Sequence, residues 1–288
     1  MIIVTGASGQ LGRGIVEELL KRVPAEQIGV SVRDPEKVQD LKGRGVRVRQ
    51  GDFEDPASLT QSFEGVTQLL LVSSNAASRG GDPLAQHRTA IDAAREAGAE
   101  RIVYTSHMAA SPTSAFPPMR DHAATEEMLD KSGLAWTALR NGFYASSGLM
   151  LMGDALKTGV IEAPADGKVS WTAHDDLAEA AAVILSSPAQ FEGPTPPLTA
   201  AEALDLADMA EIASALQTQP VRRDVISDDD LRAKMAARGL PAPVLAITQG
   251  LYQASRDGEF AAVDPTLERL IGHRPTPLRD VLARKIAP

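Results

Sequence analysis

The sequence predicts an α/β fold, a doubly wound parallel sheet followed by a smaller, mainly helical C-terminal lobe. Three observations lead there. Short apolar runs alternate six times with helical patterns in about the first 140 residues. The first run shows no polar alternation, as a strand covered on both faces does. Beyond residue 144 the runs thin out and helical patterns dominate. Right-handed crossovers make the expected strand order 3-2-1-4-5-6.

The first run is Met1-Ile-Ile-Val4, broken at Thr5-Gly6. Three glycines follow, Gly6, Gly9 and Gly12, and then a helical pattern with Leu11, Ile15, Leu19 and Leu20 close to one face. Strand, glycine turn and helix form a phosphate-binding unit. Gly6 turns the chain out of the strand, Gly9 leaves the backbone open to a pyrophosphate, and Gly12 lets helix and strand pack closely. The first-turn N–H groups of the helix then face the phosphates. The spacing is GxxGxxG rather than GxGxxG, and the context of strand and helix carries the reading. A ligand-free tight turn is the plain alternative.

The second strand, residues 28–32, ends at Arg33-Asp34-Pro35. In this architecture that tip reaches the adenosine ribose, where an acidic residue binds the 2′-hydroxyl of NAD and an Arg accommodates the 2′-phosphate of NADP. Arg33 favours NADP(H), with NAD(H) as the alternative carrier, while Asp34 is placed to cap the helix that begins at Pro35. Arg33 as an ordinary surface charge is the competing reading. The third strand, 46–50, closes at Gly51-Asp52-Phe53, where Asp52 either accepts from the adenine or serves as a turn residue. The fourth, 68–72, ends in Ser73-Ser74-Asn75, a small polar edge suited to a cofactor crossing the sheet. Residues 76–83 read as a loop and about 84–97 as a helix. The fifth strand, 101–105, runs into Ser106-His107-Met108, and a loop rich in Pro and small residues precedes a helix at about 118–132. The sixth, 135–139, leaves through Arg140-Asn141-Gly142-Phe143-Tyr144.

Helical patterns then cover 145–157, 175–186, 202–216, 227–238, 241–257 and 276–286, with short extended pieces at 168–171, 195–199 and 220–225. The expected domains are an NAD(P)-binding domain over 1–143, with returning segments at about 160–200, and a helical substrate lobe over 144–288. A ligand cleft is expected between them.

Composition narrows the classes. The chain has 288 residues, 43% of them hydrophobic and no Cys, which excludes disulfides and thiolate chemistry. The net charge of -9 argues against general nucleic-acid binding. No stretch has the length of a membrane span and no basic leader is present, so the expectation is a cytoplasmic protein without a membrane or nucleic-acid partner. The acid-rich starts at Asp175-Asp176 and Asp228-Asp229-Asp230 read as helix N-termini, and no metal site is expected.

A hydride-transferring short-chain dehydrogenase is expected to carry Tyr-x-x-x-Lys. Four positions beyond Tyr104, Tyr144 and Tyr252 stand Met108, Gly148 and Arg256, so the pair is absent. Other pieces are familiar: Val4-Thr-Gly-Ala-Ser-Gly-Gln-Leu-Gly12, Val32-Arg33, Gly51-Asp52, Tyr104-Thr-Ser106, His122-x-x-x-Glu126 and Leu139-Arg-Asn-Gly-Phe-Tyr144. With Gly258-Glu259 and Thr276-Pro277-Leu278 they make a chain that resembles the NmrA-like, atypical short-chain dehydrogenase/reductases over nearly its whole length. Within that group it is most similar to NAD(P)H:quinone oxidoreductases and triphenylmethane reductases.

The resemblance implies a Rossmann domain, bound NADPH and reduction of a flat conjugated acceptor without a dedicated catalytic tyrosine. Electron-poor quinones and cationic dyes accept hydride readily, so alignment of acceptor and nicotinamide carries the catalysis. The expected cofactor-binding residues are Gly6, Ser8, Gly9, Gln10, Leu11, Arg33, Asp52, Phe53, Ser73, Ser74, Asn75, Thr105, Ser106 and Asn141. The expected catalytic residues are His107, Asn141 and Tyr144. His107 departs from the residue expected after Thr-Ser. His122 is either a proton donor or, on the plainer reading, a structural imidazole bonded to backbone or to Glu126 one turn on. Phe143, Tyr144, Met150 and Trp171 form either an aromatic pocket or core. His87, His174 and His273 show no convergent partners in the sequence. The partner is a small aromatic or quinone acceptor, and the protein a monomer or homodimer. The competing function is a non-catalytic NADP(H)-binding redox sensor of the NmrA type, which also lacks Tyr-x-x-x-Lys.

Overall fold

Ile2, Ile3 and Val4 are buried on both faces of their strand, which is why the first run shows no alternation. A computed structural model describes residues 1–187 and 191–286. The strands are β1 (Ile2–Thr5), β2 (Ile28–Val32), β3 (Arg47–Gln50), β4 (Gln68–Leu71), β5 (Arg101–His107), β6 (Ala135–Asn141), β7 (Val160–Pro164), β8 (Gly193–Pro194) and β9 (Arg222–Ile226). Seven of them form one parallel sheet in the order β3-β2-β1-β4-β5-β6-β8. The register runs Ile2 to Ile28 on one side of β1 and Ile2 to Gln68 on the other. The order expected from the sequence is present, with β8 added at the β6 edge.

Helices follow at α1 (Gln10–Leu19), α2 (Gln39–Gly43), α3 (Pro56–Ser62), α4 (Pro83–Glu96), α5 (Pro117–Asp130), α6 (Ala145–Leu151) and α7 (Ala155–Thr158). After them come α8 (His174–Ser186), α9 (Leu206–Leu216), α10 (Asp228–Ala237), α11 (Ala242–Arg256), α12 (Thr266–Ile271) and α13 (Leu278–Ile286). Asp–Pro steps start two of the early helices: Asp55 accepts from Ala57 N–H and Asp82 from Leu84 N–H, with Pro at the first helical position. Asp34 does the same for a short 3₁₀ turn at Pro35–Val38.

The chain divides into two compact units. The first comprises Met1–His107, Asp121–Arg140 and His174–Pro196 and contains the sheet. One of its cores gathers Ile3, Leu69, Leu71, Ile102, Tyr104 and Trp136. In the same unit α8 packs against α1, where a Cβ on Gly14 would lie 3.1 Å from that of Ala178. The second comprises Met108–Arg120, Asn141–Ala173 and the chain from Pro197 onward. Its core holds Phe116, Phe143, Trp171, Met209, Tyr252 and Phe260.

Several sequence expectations are corrected here. The helix expected at 145–157 is two, because Gly153 at φ 54 breaks it between α6 and α7. The extended piece at 168–171 forms no strand; Val169 makes a lone bridge to Leu204. The piece at 195–199 contributes a bridge from Leu198 to Asn141, while the strand itself lies earlier, at β8. Strand β7 and helix α12 were not foreseen. Residues 76–83, expected as loop, contain a 3₁₀ turn at Ala76–Arg79. The helix expected from 202 begins at Leu206, where Asp205 caps it. Residues 188–190, within the segment expected to return to the sheet, lie outside the described residues.

Candidate functional site

The glycine turn closes tightly: Gly9 N–H donates to Gly6 O at 2.9 Å, and Gly6 takes φ 65, a left-handed conformation that glycine reaches without strain. A Cβ on Gly12 would stand 2.4 Å from Gly6 O, so only glycine allows α1 this close to the end of β1. Gly9 is different, since a Cβ there would meet only Gly6 O at 3.4 Å. Its lack of a side chain leaves an outward face open. As the N-cap of α1, Gly9 also offers no side chain to the first-turn N–H groups. Ser8 and Gln10 are exposed beside it, whereas the Leu11 side chain is buried, so only the backbone of Leu11 can meet a ligand.

Gly6, Ser8, Arg33, Asp52 and Phe53 line one groove together with Ser73, Ser74 and Asn75. These are the sheet ends on both sides of the β1–β4 step, where the strand order reverses and a crevice opens. Arg33 is exposed, and among the described residues its guanidinium makes no hydrogen bond or ion pair with the protein. Asp52 is held as a turn residue, one oxygen accepting from Glu54 N–H at 3.1 Å while its own N–H donates to Ser58 Oγ at 2.9 Å. Among the lining residues that the sequence reading missed are Arg79 and Gln86. Arg79 donates to Asn75 Oδ1 at 3.1 Å. Nothing local marks it, because only the 3₁₀ turn brings it back to the end of β4.

The floor of the groove is fixed from below. Ser73 N–H donates to Thr105 Oγ1 at 2.8 Å, and Ser74 N–H donates to His87 Nε2 at 2.8 Å. His87 Nδ1 lies 2.8 Å from Thr125 Oγ1, whose hydroxyl donates to Asp121 O at 2.8 Å. His87 therefore has the convergent partners that the sequence reading denied it. They come from the turn after β4 and from α5, on either side along the chain.

Thr105 and Ser106, expected to touch the cofactor, turn inward. Both are buried, Thr105 under Ser73 and Ser106 donating to Glu126 Oε1 at 2.6 Å. Glu126 is also bound in a fork by Arg140, at 3.2 Å and 2.8 Å. That pairing corrects the plainer reading of His122: its Nδ1 bonds Tyr104 Oη at 2.8 Å, and Glu126 is taken by Arg140. His107, at the end of β5, stacks on His122 with ring centroids 6.1 Å apart. Burial pushes His122 down to about 3, with the nearby His87 adding to it. Burial and then the His122 charge hold His107 well below its ordinary value. Both imidazoles are neutral near pH 7.

In the second unit Asn141 and Tyr144 come together. Asn141 is buried, its Oδ1 without a hydrogen-bond partner among the described residues, and its amide N–H donates to the Tyr144 phenol oxygen. Burial pushes that phenol up to about 12, against the opposing effect of Asn141, so it stays protonated and able to donate. The aromatic pocket is corrected to core. Phe143 and Trp171 are buried edge-to-face at 5.4 Å, and Met150 points to solvent, 75% exposed.

A model of NAD(P)H-binding proteins matches residues 6–188. The chain is 40% identical over 284 residues to quinone oxidoreductase 2 of Escherichia coli (strain K12), covering 97% of this chain and 96% of that protein. Among solved structures it is similar to the Escherichia coli NADPH-dependent quinone oxidoreductase complexed with NADPH, with a TM-score of 0.92, 36% identity and full coverage of both chains. It is also similar to the Citrobacter sp. triphenylmethane reductase complexed with NADP(H), with a TM-score of 0.88, 32% identity and full coverage of both chains.

Proposed function

This chain belongs to the NAD(P)H-binding family, and from that premise we propose that it is an NADPH-dependent oxidoreductase that reduces quinone-like or conjugated dye-like acceptors. One observation carries the cofactor assignment: Gly6, Ser8 and the unengaged guanidinium of Arg33 line the same groove, and the uncapped, side-chain-free Gly9 follows Ser8 in the turn. An anion-binding turn and a cation at the ribose end of the groove suit a dinucleotide with a 2′-phosphate.

The first unit takes the dinucleotide. Ser8, Gln10 and Leu11 present backbone N–H groups to the pyrophosphate past the side-chain-free faces of Gly6 and Gly9, Arg33 reads the 2′-phosphate, and Asp52, Phe53 and the Ser73–Asn75 turn border the adenosine and ribose. When bound, NADPH supplies the hydride. Acceptor recognition falls to the second unit, whose Asn141 amide and protonated Tyr144 phenol hydrogen-bond an acceptor oxygen. His107 and His122, held neutral by burial, shape the end of β5 without serving as a cationic acid. Catalysis then rests on alignment, worth on the order of a hundred-fold per 1 Å of placement.

The test is turnover of NADPH with a panel of quinones and triarylmethane dyes, followed by the loss of reduced-nicotinamide absorbance. Turnover with several flat acceptors is the expected result. Tight NADPH binding with no turnover on any of them would refute the reductase and leave a sensor.

A further inference from the structure

We propose that His87 is a positioning residue for the groove, locked by its partners into a single tautomer that holds the Ser73–Asn75 turn in place. The proposal rests on the reading of that groove as the NADPH site. Ser74 N–H can only donate, so its 2.8 Å contact makes His87 Nε2 the acceptor. At the other end, the Asp121 carbonyl can only accept. Thr125 therefore spends its one hydroxyl proton there, at 2.8 Å, and must accept from His87 Nδ1–H. The two ends independently assign the same tautomer, with Nδ1 protonated and Nε2 bare.

The lock is dry: His87 is 2% exposed and Thr125 0%. Tyr104 of β5 meets the imidazole edge-on, with centroids 5.4 Å apart. The titratable neighbours are Asp82 at the start of α4, Tyr104 on β5 and His122 on α5. Burial outweighs the pull of Asp82 and brings His87 down to about 4. A protonated ring would also set its Nε2–H against Ser74 N–H, removing the bond that holds the groove floor.

Two successive amides of the floor thus end on side chains of different elements, Ser73 on Thr105 of β5 and Ser74 on His87 of α4. Without His87, the Ser74 N–H beneath the turn has no acceptor and the turn must rearrange to find one. Ser73, Ser74 and Asn75 would move with it, and all three line the groove.

The experiment uses the intact protein in two measurements. Imidazole nitrogen–proton NMR reads the tautomer of His87 between pH 8 and 5, in the wild type and in Thr125→Val. Calorimetric titration gives the NADPH Kd for the wild type, His87→Gln, His87→Phe and Thr125→Val. The wild type should show the Nδ1–H form, and Thr125→Val, in which the Ser74 end still assigns it, should keep that form with its Nδ1–H unbonded. His87→Phe should weaken NADPH about ten-fold, the loss of one buried hydrogen bond, with the effect in Kd and KM and not in kcat at saturating NADPH. His87→Gln, whose amide oxygen can accept from Ser74, should recover most of it, and Thr125→Val should fall between. An Nε2–H tautomer in the wild type, or unchanged Kd in both His87→Phe and Thr125→Val, would overturn the proposal. A wild type that binds no NADPH would overturn the cofactor reading and the groove role with it, while the nitrogen spectrum separately decides the tautomer lock.

Discussion

Gly9 and Gly12 stand in one turn and should fail in different ways when each is given a methyl group. On Gly12 the methyl would lie 2.4 Å from Gly6 O and 2.7 Å from Gly6 C, backbone atoms that yield only if α1 moves off the end of β1. Overpacking of this kind costs about 1–3 kcal/mol, which lowers Tm by roughly 2–12 °C at about 2–4 °C per kcal/mol. On Gly9 the methyl meets only Gly6 O, at 3.4 Å, and the backbone at φ -94, ψ 168 accepts any residue. There the reduced entropy of the unfolded chain stabilises by about 0.4–1 kcal/mol, and the poorer N-cap fit of alanine removes a similar amount. Gly9→Ala should therefore melt close to the wild type yet bind NADPH poorly, because its methyl occupies the approach to the backbone. Gly12→Ala should lose both stability and affinity. Thermal melts without ligand, paired with calorimetric titration of NADPH, separate the two. Wild-type affinity in Gly9→Ala, or an unchanged melt in Gly12→Ala, would refute the reasoning.

Arg33→Ala should weaken NADPH roughly ten- to a hundred-fold, the loss of a charge-assisted pair of about 1.5–3 kcal/mol, and leave NADH nearly unchanged; equal losses for both would mean Arg33 does not read the phosphate. Arg140→Met leaves the Glu126 carboxylate, its side chain 9% exposed, with Ser106 as its remaining partner. With 31% of the Arg140 side chain in water, the expected loss is about 2 kcal/mol, below the 3–5 of a fully buried pair, read as a shift of the urea midpoint; an unmoved midpoint would show that the pair contributes nothing. Burial lowers His87 to about 4 and His122 to about 3 from an ordinary 6.5, so the unfolded chain binds more protons between those values. The stability they contribute is complete above about pH 6.5 and drains as pH falls toward 4, with Asp82, Tyr104 and each other as the facing titratable groups. The urea midpoint should drop between pH 7 and pH 5, and a flat profile there would contradict buried neutral imidazoles.

What the sequence determined by itself was whatever a few adjacent residues can encode. The apolar runs of β1 to β6, the Asp34 cap before Pro35 and the glycine turn are local patterns, and handed crossovers then leave one strand order. The groove was legible for the same reason: each of its predicted residues sits at the end of a strand, and in a parallel sheet those ends share one edge. Tertiary structure decided which side chains meet. Strand β7 pairs with β9 in the register Val160 to Arg222, a partnership across some sixty residues that two short half-polar runs do not announce. His122-x-x-x-Glu126 reads as a one-turn pair on a helix, yet Tyr104 takes the imidazole and Arg140 the carboxylate. His87 carries no motif at all, and only the packing of α4 between the end of β4 and α5 makes it the support of the groove floor. Periodicity records which face of an element is buried. It does not record the partner buried against it, because that choice is made by the whole fold competing for each donor and acceptor.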